Sequence, residues 1–337
     1  MSLSGTVVGW SNGIVVKTKN VTLCLDPCSP ADKYNSILIS HAHGDHTPGF
    51  RSKKLKYSTN ETLKIYEEGG GQAVKNFKPI RYGETLKIDD VEVVAYNAGH
   101  MLGSAQFEIR TPEQVVVYTG DINCVETLTT KPADIVNCDV LIIESTYGSP
   151  EFIFPERMFV YSELAKWVIS QVRSGRIPTF HVYSAGKAQE VIRLLNVFTN
   201  VPVVVHQHVG KISDAHRRLG VDLDFVSDGS AEGVKLLAKG GCVYIVPPSI
   251  PSRFSRKMVS AMASGWAVKF RPRKFDAVFP VSSHADFKQL VAYVKAVKPR
   301  VVYTCFGFES AFSEYLRRRE RIDGCPLARI GGRIRSK

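Results

Sequence analysis

No stretch of this 337-residue sequence is apolar for long enough to cross a bilayer, and its first residues lack the basic-then-apolar order of a signal peptide. Both absences argue against a helical membrane protein and against a secreted one. Paired cysteine spacings are also missing: Cys24, Cys28, Cys124, Cys138, Cys242, Cys305 and Cys325 form an odd, scattered set. Such a set suits reduced thiols in the cytoplasm rather than a disulfide framework. Low-complexity segments are absent too. With 44% hydrophobic and 10% aromatic residues the chain can bury a large core and form two domains.

What the sequence does have is Ser40-His41-Ala42-His43-Gly44-Asp45-His46-Thr47, directly after the short apolar run Ser36-Ile37-Leu38-Ile39. The run reads as a buried strand. Gly44 and the small residues let the chain turn, so three imidazoles and a carboxylate converge beyond the strand end. Neutral imidazole suits Zn²⁺, and a carboxylate serves as ligand or as proton acceptor. A surface turn rich in histidine is the bland alternative, and four such groups in six residues after a strand weigh against it.

The spacing H-x-H-x-D-H resembles the metal-binding signature of the metallo-β-lactamase superfamily. The resemblance extends along nearly the whole chain. His100 stands at a strand end in Ala98-Gly99-His100, and Asp121 follows the strand 115–118 in Thr119-Gly120-Asp121. The acidic element Glu144-Ser145-Thr146-Tyr147-Gly148, the helix start Gly186-Lys187-Ala188-Gln189-Glu190, and Ser282-Ser283-His284-Ala285-Asp286 then resemble the β-CASP nuclease subfamily, in its short form akin to exonucleases and mRNA 3′-end processing factors. Lys187 stands where Arg is usual.

The resemblance implies an α/β protein with the four-layer αββα metallo-β-lactamase fold and an inserted α/β β-CASP cap. It divides the chain into residues 1–148 (first part of the core), 149–265 (cap) and 266–337 (returning core and basic tail). His41, His43 and His100 would hold one Zn²⁺, Asp121 would bridge, and Asp45 and His46 would serve a second ion; Mn²⁺ is an allowed substitute. Asp45, His284 and Glu144 would be catalytic, His284 at the scissile phosphate and Glu144 orienting it, with Asp26 buttressing the metal turn. RNA-processing members place a final His on the second ion. Here the stretch is Tyr303-Thr304-Cys305-Phe306-Gly307, and two alternatives stand level: Cys305 as a replacement ligand, or Cys305 as an inert buried thiol with the second ion site weak or empty.

Secondary structure follows from periodicity. An antiparallel meander is expected over 6–9, 14–17 and 21–25. The cap should alternate helices (157–172, 188–198, 212–219, 233–239) with strands (179–182, 201–205, 243–246), and the segment 270–281 should return to the core. In isolation, His181 and the pair in His206-Gln207-His208 read as packed or substrate-lining residues rather than ligands.

Residues 251–337 hold 19 Lys/Arg against 6 Asp/Glu, whereas residues 1–250 hold 25 against 26. A solvated basic face is the ordinary meaning of such an excess. Beside a hydrolytic metal site it favours a polyanion, most simply nucleic acid. Lys187, Arg271 and Arg273, with Arg253, Arg256, Lys257 and Lys274, are the candidate phosphate contacts, and the tail 329–335 would add non-specific ones. The expected function is zinc-activated hydrolysis of phosphodiester bonds of DNA or RNA, as an exonuclease in processing or repair with a slight lean to DNA. The alternatives are an RNA 3′-end processing nuclease and a non-catalytic scaffold subunit. Protein partners in processing or repair are expected.

Overall fold

The computed structural model describes residues 5–251 and 257–329. Three sheets organise them. The first is β1 (Val7–Trp10), β2 (Ile14–Lys17), β3 (Thr22–Leu25), β4 (Ser36–Leu38), β5 (Leu55–Ser58) and β6 (Phe77–Pro79), side by side in that order. The second starts with β7 (Thr85–Ile88), β8 (Val91–Asn97), β9 (Ala105–Arg110), β10 (Val115–Tyr118) and β11 (Val140–Ser145). The chain then builds the third sheet from β12 (Ile177–His181), β13 (Val203–Val205), β14 (Val226–Ser227), β15 (Val243–Val246), β16 (Met258–Ala263) and β17 (Ala277–Phe279). It returns to the second sheet with β18 (Val301–Gly307) and β19 (Gly324–Pro326), giving the order β19-β18-β11-β10-β9-β8-β7.

Alternation along each strand explains the layering. In β2, Ile14 and Val16 face the core between the first two sheets, while Val15 faces outward onto Tyr34, Ile37 and Phe50. In β10, Val116 and Tyr118 join that inter-sheet core, while Val117 packs beneath α6 (Phe287–Val297) and α7 (Glu309–Tyr315). On the outer face of the first sheet, Leu63 and Tyr66 of α1 (Asn60–Glu68) pack against Phe50's cluster. The result is the αββα arrangement, with each fully buried Val, Leu or Ile contributing about 1.5–3 kcal/mol.

The third sheet is wholly parallel, in the order β14-β13-β15-β12-β16-β17. Its core draws on α2 (Arg157–Arg173) and α3 (Lys187–Phe198). Two further helices, α4 (Gln207–Arg218) and α5 (Ala231–Lys239), complete this unit. Two expectations need correction here, and three strands were not foreseen. The segment 270–281 does not go back to the lactamase-like sheets: β17 pairs with β16, so the third sheet runs on to Phe279. The helix expected at 212–219 begins at Gln207, because His206 is its N-cap and its Nδ1 accepts from the His208 N–H at 3.2 Å. β5, β6 and β16 arise in segments without a clear period.

Strand direction decides where the chemistry sits. β3 and β4 are parallel. β8 and β10 both run antiparallel to β9, and β10, β11 and β18 are mutually parallel. The residues after β3, β4, β8, β10, β11 and β18 therefore gather along one edge of the core. The C-terminal ends of the parallel cap strands, where ligands bind in open α/β sheets, face the same edge.

Candidate active site

Asp26 closes β3 and is 2% exposed. Its Oδ1 accepts the Ser40 N–H at 2.7 Å; its Oδ2 accepts from the Ser40 hydroxyl (2.5 Å), His46 Nδ1 (2.8 Å) and the Tyr118 hydroxyl (2.8 Å). One carboxylate thus fixes both ends of the metal turn and ties it to β10. Asp26 lies at φ 45°, a left-handed conformation that Asp tolerates better than most residues. Gly120, at φ 55°, brings the chain so close to Ser40 that a Cβ would stand 2.7 Å from the Ser40 Cβ. Only glycine lets Asp121 reach the turn.

His41 Nε2 and His100 Nε2 each lie 3.1 Å from His43 Nδ1. Asp121 Oδ2 is 3.4 Å from His41 Nε2 and 3.7 Å from His100 Nε2. The far nitrogen of each ring has its own oxygen: His41 Nδ1 the Ser40 hydroxyl (2.9 Å), His43 Nε2 the Ala185 carbonyl (3.2 Å), His100 Nδ1 the Ser283 carbonyl (2.8 Å). Because the Ser40 hydroxyl donates to Asp26, it accepts from His41. All three rings therefore spend their proton outward and turn a bare lone pair inward. Burial holds His41 and His100 well below the ordinary histidine range and His43 at about 4, so they stay neutral. Three facing lone pairs and a carboxylate repel one another unless a cation lies between them. Their spacings match the edge of a tetrahedron around zinc, about 3.4 Å for bonds of about 2.0–2.1 Å. These residues fit a divalent ion.

A looser second set adjoins. Asp121 turns Oδ1 toward His46 Nε2 at 3.7 Å, and Asp45 Oδ2 is 3.8 Å from the same nitrogen. Burial alone would lower His46, but Asp121 and Asp26 outweigh it and lift the imidazole to about 10. Burial raises Asp121 to about 6, against the pull of His46 and His284. Its proton then competes with the ion. Divalent-metal affinity should be flat above pH 6 as far as Asp121 decides it, and fall about tenfold per pH unit below. Calorimetric titration between pH 4.5 and 7.5 checks this; an affinity that does not fall across that range would remove Asp121 from the ligand set.

Opposite the first set stands His284, with Nε2 3.9 Å from Asp121 Oδ2 and Nδ1 2.8 Å from Glu144 Oε1. Glu144 is fully buried and also accepts the Ile122 and Thr146 N–H groups. Burial opposes both charges of this pair, yet mutual attraction wins: Glu144 is held low and His284 is raised.

These groups floor a pocket of about 320 Å³. The cap roofs it with Tyr183, Gly186 and Lys187 after β12 and Ser264–Trp266 after β16, while Ser282–His284 follow β17. Lys187 is buried, with Nζ 3.3 Å from Glu190 Oε2, and burial brings it down to about 8 against the pull of Glu190. Arg271 and Arg273 are exposed outside this pocket. Arg253, Arg256 and residues 330–337 lie outside the described residues. Cys305 is not gathered with the donors: in step with Val301 and Tyr303 it faces the inter-sheet core, and its thiol donates to the Ile143 carbonyl at 3.4 Å. Sequence reasoning overlooked Tyr183, 67% exposed with its ring 6.0 Å from that of His43, and Phe306. Tyr183 is an aromatic residue in a loop and Phe306 sits at a register slip in β18, and neither position carries a periodic signal.

A family profile described as a beta-lactamase superfamily domain matches residues 11–212. The chain belongs to the beta-lactamase superfamily. The third sheet, inserted between β11 and β18, gives it the β-CASP form of that fold. Over 290 residues it is 29% identical to a "Probable DNA ligase" of Opitutus terrae, covering 83% of this chain and 28% of that protein. Over 183 residues it is 35% identical to an "RNase J-like protein" of Methanocaldococcus jannaschii, covering 48% of this chain and 43% of that one. The chain thus spans less than half the length of these relatives. A crystal structure of a protein of unknown function from Enterococcus faecalis V583 superposes with a TM-score of 0.64 at 15% identity, over 90% of this chain and 94% of that one, and shares the fold. No helix among the described residues is long and apolar enough to cross a membrane.

Proposed function

We propose that the protein is a metal-dependent nuclease that hydrolyses phosphodiester bonds of DNA or RNA, acting as an exonuclease in processing or repair with a lean to DNA. The observation that carries this reading is Asp121, whose two oxygens face two donor sets across from the His284–Glu144 pair. His41, His43, His100 and Asp121 would hold the first ion, taken to be Zn²⁺ with Mn²⁺ as substitute, and Asp45 and His46 would serve a second, weaker one. A bound divalent ion would polarise a phosphate oxygen and lower the pKa of a water. Asp45, whose side chain is 82% exposed, accepts the proton of the attacking water. In its imidazolium form, favoured by Glu144 and Asp121, His284 has a proton on each ring nitrogen: Nδ1–H is given to Glu144 and Nε2–H donates to the phosphate or to the leaving oxygen. Lys187 meets a phosphate in the pocket, and Arg271 and Arg273 steer the strand from outside. The relative named RNase J-like supports an RNA substrate, and the relative named as a DNA ligase supports DNA.

Matched DNA and RNA oligonucleotides, labelled at either end, decide among these. Wild type with Zn²⁺ or Mn²⁺ should degrade one of them, Asp45→Asn should not, and the labelled end fixes polarity. Reversing Arg271 and Arg273 to Glu should weaken binding and flatten its salt dependence. No cleavage by folded, metal-loaded protein would sink the enzyme reading and promote a scaffold role.

A further inference from the structure

The two donor sets are unequal. The first brings four donor atoms within 4.8 Å of one another, whereas Asp45 belongs to no such group among the described residues. The second set has three side chains, and beside them stands the phenyl ring of Phe306. Its centroid is 5.6 Å from that of His46 at 65°, and it lines the pocket together with His46 and Asp121. Trp10 braces its other side edge-on at 5.9 Å.

The backbone, not packing alone, aims this ring. Phe306 lies at φ 58°, a left-handed conformation that bulky residues rarely adopt. It is pinned there from both sides. Its N–H donates to the Glu309 carboxylate at 2.9 Å, and its carbonyl accepts the Ser145 hydroxyl at 2.5 Å. Opposite it the β11–β18 register slips between Glu144 and Ser145. The slip breaks the alternation that sends Cys305 into the core and throws the next side chain toward the metal edge. His occupies such a conformation more readily than Phe. The strained position therefore carries an apolar ring where a polar ligand would sit with less strain.

We infer that Phe306 sets the metal stoichiometry: it leaves the second donor set one ligand short and walls it with an apolar face, so the protein holds one divalent ion tightly. With no second tight ion to neutralise it, the Asp45 carboxylate stays available as a base. The inference rests on the metal assignments above and not on nuclease activity.

Its test counts ions. Wild type, Phe306→His and Phe306→Leu are stripped with chelator, reloaded with excess Zn²⁺ and desalted. Zinc per chain is then measured by mass spectrometry and affinity by calorimetry. Wild type and Phe306→Leu should retain one ion and Phe306→His two, with the second bound at least about tenfold more tightly than wild type binds it, a difference of about 1.4 kcal/mol. Two tight ions in wild type would overturn the inference. So would a single ion in a Phe306→His protein whose circular dichroism and melting match wild type. Should that variant misfold, the wild-type count still decides, and Phe306→Asp offers a second donor in the same conformation. A protein that retains one ion but cleaves nothing would refute the nuclease reading and leave this one standing. Retention of none would overturn this inference, while cleavage with added Zn²⁺ or Mn²⁺ would leave the nuclease reading standing.

Discussion

Asp121→Asn should reduce phosphodiester cleavage by about 10³-fold or more and release the bound ion. The carboxylate is the sole anion of the first donor set, within 3.7 Å of two imidazole nitrogens. An amide of the same shape keeps the packing but removes the charge, and it can turn an NH₂ toward lone pairs that need a cation. The same change deprives His46 of the largest charge that raises it, and His284 of one that adds to Glu144. Charge stabilisation of several kcal/mol is at stake, and about 4 kcal/mol corresponds to 10³ in rate. Single-turnover cleavage and zinc content should fall together. A variant that keeps its zinc and cleaves within tenfold of wild type would show that Asp121 neither binds nor bridges.

Asp26→Ala should destabilise the metal-free protein by about 3–5 kcal/mol, the range for removing one partner of a buried charged network. Four donors lose their acceptor at once: the Ser40 N–H and hydroxyl, His46 Nδ1 and the Tyr118 hydroxyl. All of these residues lie in the interior, so water cannot easily take the place of Asp26. Alanine is also poorly suited to φ 45°. Asp26→Asn should recover part of the loss. Chemical denaturation in chelator measures both variants, and a loss below about 1 kcal/mol for the alanine would mean that the turn holds its shape without its buttress.

Much of the site could be read before the fold was known, for a physical reason. His41, His43, Asp45 and His46 are contiguous, and contiguity survives any uncertainty about topology. His100 and Asp121 follow strands beside glycines that the close approach requires. Other features depend on backbone details that have no residue-level signature. β17 has three residues, too few to declare an alternating pattern, so its pairing with the cap sheet was invisible. The start of α4 was hidden because His206 caps a helix through the same ring nitrogen that suggests a ligand. Phe306 was passed over in favour of Cys305 because a thiol can ligate zinc and a phenyl ring cannot, and the register slip opposite it is a tertiary event.

The oxygens that orient two of the metal-facing rings come from the cap and its returning loop: Ala185 for His43 and Ser283 for His100. Every inward-facing donor of the first set belongs to the lactamase-like core, but these two tautomers are selected from across the cleft. Seating of the cap and retention of the ion are therefore linked equilibria. Whatever free energy the seated cap adds to ion binding, the ion returns to cap seating in equal measure. A divalent ion bound among the three imidazoles would therefore favour the seated cap.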